Sequence, residues 1–170
     1  MINSLTGELS VISPDRGADK SATFVANMSR MLQSAVTETA LFDSAIVSNS
    51  VNVDRFKTFS ELAAAQDQSQ RNAQTVGTPG QQSELTALAN LDSALGSWRG
   101  ALTRVLENPD KEEIGDKNSW DKFAAGRLTA INQITTTAAQ DTQSAADRAK
   151  TSALFRTLAV AGAVLLTLAV

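Results

Sequence analysis

The feature that most restricts this chain is the run Leu88, Leu91, Leu95, Trp98, Leu102 and Val105, in which large apolar residues recur at alternating steps of three and four. An α-helix turns once every ~3.6 residues, so this spacing puts all six side chains on one face and forms a seam for another helix. Gly96 and Gly100 dilute the seam without breaking it. The same rhythm appears earlier, in Phe24, Met28, Met31, Ala35, Phe42 and Ile46, with Ser21 as an N-cap and Ser48-Asn49-Ser50 as the end. A further helix follows with Asp54 as cap and Phe56, Phe59, Leu62 and Ala63 on its apolar side, and Val76-Gly77-Thr78-Pro79-Gly80 closes it with a turn. After the acidic stretch Asn108 to Asn118, read as a loop, Ser119 caps a last helix with Trp120, Phe123, Leu128, Ile131 and Ile134 facing the core.

These segments predict an all-α fold, an antiparallel bundle of long helices. Only three prolines and no tyrosine in 170 residues agree with long helices rather than a turn-rich sheet. The segment Ile2 to Ser13 reads as a short helix, and Ser13-Pro14-Asp15-Arg16-Gly17 as a break. From Thr135 to Lys150 the last helix offers only Ala and Thr to a partner, so it packs weakly and suits a stalk.

The stalk leads into Thr157 to Val170, TLAVAGAVLLTLAV, which carries no charge. Its fourteen residues rise only ~21 Å as a helix, less than the ~30 Å hydrocarbon layer, so it reads as a truncated membrane segment preceded by Arg148, Lys150 and Arg156. A buried core helix is the alternative. The opening MINSLTGELS has neither a basic nor an apolar region of a secretory signal. Three segments are therefore expected: residues 1–20 as an N-terminal piece, 21–150 as a helical bundle and 151–170 as a single membrane pass. Membrane lipid is then one partner, and a second copy of the chain, paired through the stalk, is another.

The residue types present exclude much chemistry. There is no histidine and no cysteine, which removes the commonest general base, the commonest transition-metal ligand and any thiolate. No enzyme and no cofactor are expected. A net charge of −3, from 15 basic and 18 acidic residues, gives no surface for a phosphate backbone, so nucleic acid is not a partner. Asp110, Glu112, Glu113 and Asp116 lack the alternating spacing and terminal Glu of a calcium loop and read as a solvated loop, with no metal. Gly77 to Gly80 has no Lys-Ser/Thr with which to cradle phosphate. What remains is arginine. Arg30, Arg55, Arg71, Arg99, Arg104 and Arg127 lie on the helices, and a guanidinium inside a bundle forks onto a small planar anion such as nitrate or a carboxylate. Arg127 stands out because it follows Phe123 by one turn.

The order of certain residues adds a resemblance. Glu38 precedes Ala40-Leu41; Asp54, Phe56, Phe59 and Leu62-Ala63-Ala64-Ala65-Gln66 follow; Thr78-Pro79-Gly80-Gln81 makes the turn; Trp120 opens a helix with Ala124-Ala125-Gly126-Arg127-Leu128 and Ile131. From about Phe24 to Gln143 the chain resembles the membrane-proximal half of the nitrate- and nitrite-sensing domain of actinobacterial-type sensor kinases. The resemblance implies an all-helical receptor segment outside the cytoplasmic membrane. It binds a small anion between helices and signals through a membrane helix to cytoplasmic HAMP and kinase modules, which these 170 residues do not contain. Arg127 matches the family. Where the family often has an arginine directly after the glutamate, this chain has Thr39, which gives one hydrogen bond and no charge, and the residues before Pro14 include no arginine. The expected ligand residues are Arg127, Thr39 and Arg30. Two other classes remain open: a chemoreceptor-type four-helix ligand-binding domain, and a tail-anchored coiled-coil protein that binds helices through the Leu88 to Val105 seam.

Overall fold

The computed structural model describes the backbone of residues 15–168 and the side chains of residues 17–148. Four helices account for nearly all of it: α1 (Asp15–Ser48), α2 (Val53–Val76), α3 (Pro79–Glu107) and α4 (Lys117–Leu168). The expected helix at 2–13 lies outside the described residues.

Each helix begins or ends where local chemistry satisfies its free backbone groups. At the end of α1, Asn49 takes a left-handed conformation (φ 41°), and the Asn49 and Ser50 N–H groups donate back to Ile46 and Ala45. This Schellman arrangement favours Gly or Asn at its left-handed position. Asn52 caps α2, its side chain accepting from the Arg55 N–H at 2.8 Å. Thr78 and Gln81 form a reciprocal capping box at the start of α3, with Pro79 in the first turn, where its missing N–H is not needed.

Three expected boundaries move. α1 starts at Asp15 rather than after Ser21, so Asp15, Arg16 and Gly17 are helical and not a break; a helix tolerates a proline just before its first turn and an acid within it. Asn52, not Asp54, caps α2; Asp54 sits in the first turn, where its charge complements the helix dipole. Asp116, not Ser119, caps α4, its carboxylate accepting from the Ser119 N–H at 2.8 Å.

The buried stripes follow the 3.6-residue period. On α1 they run Phe24, Met28, Met31, Ala35, Glu38, Phe42, Ala45, and on α4 Trp120, Ala124, Arg127, Ile131, Ile134, Ala138. α1 packs closely on both α2 and α4, while α3 closes the square against α2 and α4, leaving α1 opposite α3 and α2 opposite α4. The apolar interior is divided in two. One cluster holds Phe24, Met28, Met31, Leu85, Leu88 and Ile131; the other holds Phe42, Phe59, Leu95, Leu102 and Trp120. In the second, Trp120 stacks on Phe42 with ring centroids 4.3 Å apart, meets Trp98 edge-on at 5.2 Å, and donates its indole N–H to Asp43 at 2.9 Å.

α4 is the outlier in length. Its 52 residues rise about 78 Å, well beyond the ~36 Å of the 24-residue α2. Among the described residues Ala138 is its last buried one, and residues 143–148 are exposed. Among the described residues no helix is long and apolar enough to cross a membrane. The expected membrane segment at 151–170 falls where side chains lie outside the described residues, although the helical backbone continues to Leu168.

Candidate functional site

Between the two apolar clusters lies a layer of polar side chains contributed by all four helices, buried on α1, α2 and α4 and half-buried on α3. Each occupies a core position of its own stripe: Glu38 on α1 between Ala35 and Phe42, Gln66 on α2 between Phe59 and Ala73, and Arg127 on α4 between Ala124 and Ile131. Helix α3 adds Asp92 and Arg99, one turn on either side of Leu95.

These groups form one continuous chain of hydrogen bonds. Arg99 donates from Nε to Glu38 Oε1 at 2.7 Å and from Nη2 to Oε2 at 3.1 Å, a bidentate fork. Gln66 Nε2 donates to Glu38 Oε2 at 2.8 Å, and Gln66 Oε1 accepts from Arg127 Nη2 at 2.7 Å. Arg127 then donates from Nε and Nη2 to a single oxygen, Asp92 Oδ1, at 2.9 and 2.7 Å. Asp92 Oδ2 is buried and has no hydrogen-bond partner. The Arg99–Glu38 and Arg127–Gln66 bonds cross the two diagonals of the bundle, so the layer links helices whose backbones do not otherwise approach.

Electrostatically the layer balances, with two guanidinium ions against two carboxylates. The side chains of Glu38 and Arg127 are 2% and 5% exposed, whereas those of Asp92 and Arg99 are 24% and 26% exposed, so the two α3 residues form its water-facing side. Two openings adjoin it. A cleft of about 200 Å³ between α2 and α3 is lined by Phe59, Ala63, Arg99 and Thr103. A groove of about 280 Å³ between α3 and α4 is lined by Leu88, Leu91, Ala130 and Ile134, one turn along from the Asp92–Arg127 pair.

A family model described as nitrate and nitrite sensing matches residues 2–143, which is most of the chain. The chain belongs to the nitrate- and nitrite-sensing family. Neither a curated protein nor a solved structure gives a match. Membership agrees with the fold, an all-helical bundle, and with a sensory rather than a catalytic part.

Within this nitrate- and nitrite-sensing bundle the three expected ligand residues are not gathered together. Arg127 sits at the centre of the layer. Thr39 is next to Glu38 but half-buried, and its hydroxyl donates to the Ala35 carbonyl of its own helix at 2.9 Å. Arg30 is exposed, two turns before Glu38 on α1. The second guanidinium of the layer comes from α3, as Arg99. Gln66, which is neutral, and Asp92, which is acidic, both escape a search for arginines alone. Their signal is a polar residue standing in an apolar stripe: Gln66 lies seven residues after Phe59 and seven before Ala73.

The acidic loop after α3 does not gather into a site. Glu112 pairs with Arg104 at 3.5 Å, Asp116 caps α4, and among the described residues no group of acidic side chains is placed to hold a metal.

Proposed function

We propose that the chain is the sensory bundle of a membrane signal-transduction receptor, and that it binds nitrate or nitrite at the buried arginine layer. One observation carries this: in a chain of the nitrate- and nitrite-sensing family, two guanidinium groups stand inside the bundle in a layer that joins all four helices. A guanidinium fork offers parallel N–H donors to a planar oxyanion, and burial strengthens the contact by excluding water. Arg127 is the primary anion ligand and Arg99 the second positive charge. Binding at a layer that spans both diagonals shifts the helices relative to one another, and α4, which runs on past the bundle, carries that shift toward the membrane. The uncharged run Thr157 to Val170 supports placing the membrane at that end. The bundle's place outside the cytoplasm follows from the family likeness and not from charge, since Arg148, Lys150 and Arg156 lie on the bundle side of the run.

The test is a thermal melt of the whole chain in non-ionic detergent, with millimolar nitrate, nitrite or chloride. A ligand that binds only the folded state at about one hundred times its Kd adds ~2.7 kcal/mol of stability, which for a chain of this size raises the midpoint by about 5–10 °C. A rise with nitrate or nitrite but not chloride, lost in Arg127→Ala, supports the proposal. A cooperative melt that no anion moves refutes it.

A further inference from the structure

We infer that Asp92 is a built-in competitor for the anion: its carboxylate occupies the Arg127 fork in the empty site, and the ligand binds by displacing it. This rests on the anion-sensing reading and specifies how that site sets its affinity. Two arginines and two carboxylates already balance inside the layer, so a further anion leaves a buried net negative charge unless one carboxylate departs. Glu38 is the wrong one to leave. It is almost wholly buried, both its oxygens are used, and three hydrogen bonds from two helices hold it.

Asp92 has the opposite properties. Only one of its oxygens is bonded, and both bonds come from the same arginine. Its other oxygen is buried without a partner, a state that lacks the hydrogen bonds water would supply. The residue is about a quarter exposed, and its neighbour Leu91 lines the α3–α4 groove, so solvent is within reach of its side chain when it leaves Arg127. Nitrate and nitrite are planar and present two oxygens in a fork, as a carboxylate does, and so fit the donors that Asp92 vacates. The apparent affinity is then the intrinsic affinity reduced by the fraction of time Asp92 leaves Arg127 free. Displacement also frees α3 from α4 at this level, because Asp92 Oδ1 is what Arg127 holds on α3.

The test compares nitrate binding to the wild-type chain and to Asp92→Asn, by titration calorimetry and by melts in a buffer whose anion is bulky gluconate. The neutral amide competes weakly and leaves Arg127 uncompensated. Asp92→Asn is therefore expected to melt below wild type without nitrate, and to bind nitrate at least about tenfold more tightly. Equal or weaker binding by the variant, with wild type still binding, overturns the competitor and leaves the sensor standing. No binding by either folded protein overturns both. Should Asp92→Asn fail to fold, carbon-detected NMR of wild type decides. A side-chain carboxyl signal of Asp92 that moves to solvent-exposed values as nitrate saturates the protein supports displacement, and one that stays put refutes it.

Discussion

Gln66 reaches across the bundle diagonal to Arg127, its Oε1 accepting from Nη2 at 2.7 Å, although the backbones of α2 and α4 do not approach one another. The same amide donates to Glu38, so one neutral side chain joins the two charged pairs of the layer.

Replacing Gln66 should therefore reach beyond α2. In Gln66→Ala, Glu38 and Arg127 each lose a buried partner, and the loss is expected to be about 2–4 kcal/mol, more than a surface glutamine would give. Urea unfolding checks this. A loss under ~1 kcal/mol would mean that water replaces the amide at no penalty.

Gly115 precedes α4 with φ at +139°, and a Cβ built there would lie 2.6 Å from the Trp98 ring. Both the backbone and the packing thus require glycine. Gly115→Ala is expected to cost about 2–4 kcal/mol and to change the near-ultraviolet circular dichroism of the Trp98–Trp120 pair, 5.2 Å apart. Unchanged stability would contradict the close approach.

Asn49 serves two loops at one end of the bundle. Its left-handed backbone ends α1, while its side chain accepts from the Ile114 N–H at 3.2 Å and donates to the Glu112 carbonyl at 3.3 Å. Asn49→Gly keeps the backbone conformation and loses the clasp; Asn49→Ala loses both. Chemical denaturation should rank them wild type, Gly, Ala, with Ala about 1–2 kcal/mol below wild type. Ala equal to or above Gly would show that the left-handed turn does not matter.

The start of α4 predicts a pH window. Backbone and side-chain hydrogen bonds from Ser119 hold the Asp116 carboxyl below its ordinary value of 3.8. Its contribution to stability is thus complete above 3.8 and disappears as pH falls through the lowered folded value. Lys117 goes the other way: its bond to Asp121, then that to Asp43, raises it above 10.5, so its contribution is complete below 10.5 and disappears as pH climbs through the raised value. Melts of wild type and Asp116→Asn should differ at neutral pH and converge in acid below the Asp116 titration. A gap that persists unchanged there would show that the carboxylate charge is not what caps the helix.

Much of the architecture is determined by local sequence. The three-and-four spacing of Phe24 to Phe42 and of Leu88 to Val105 specifies which face of α1 and α3 turns inward, because a 3.6-residue period admits one apolar face. On α4 the large apolar residues are less regularly spaced, and Ala124 and Arg127, with Phe123 and Leu128 only half-buried beside them, complete the inward stripe. Thr78-Pro79 and the loop beginning at Asn108 break the chain where backbone N–H and C=O groups need other partners. The starts of α2 and α4 shift by two and three residues, where several capping side chains compete, while α1 begins six residues before its expected cap because the segment after Pro14 is itself compatible with a helix.

What only the tertiary structure decided is which polar residues meet. Arg30 and Arg127 both lie on helices, yet one faces water and the other fills a core position. Glu38, Gln66, Asp92, Arg99 and Arg127 come together because four separate helices pack with those positions at one level. A helical period determines the direction in which a side chain points, whereas the level at which two helices meet depends on how both apolar clusters fill at once. The sequence by itself determined four amphipathic helices; the packing alone placed a balanced pair of ion pairs between the halves of the core, with one carboxylate oxygen left unpartnered.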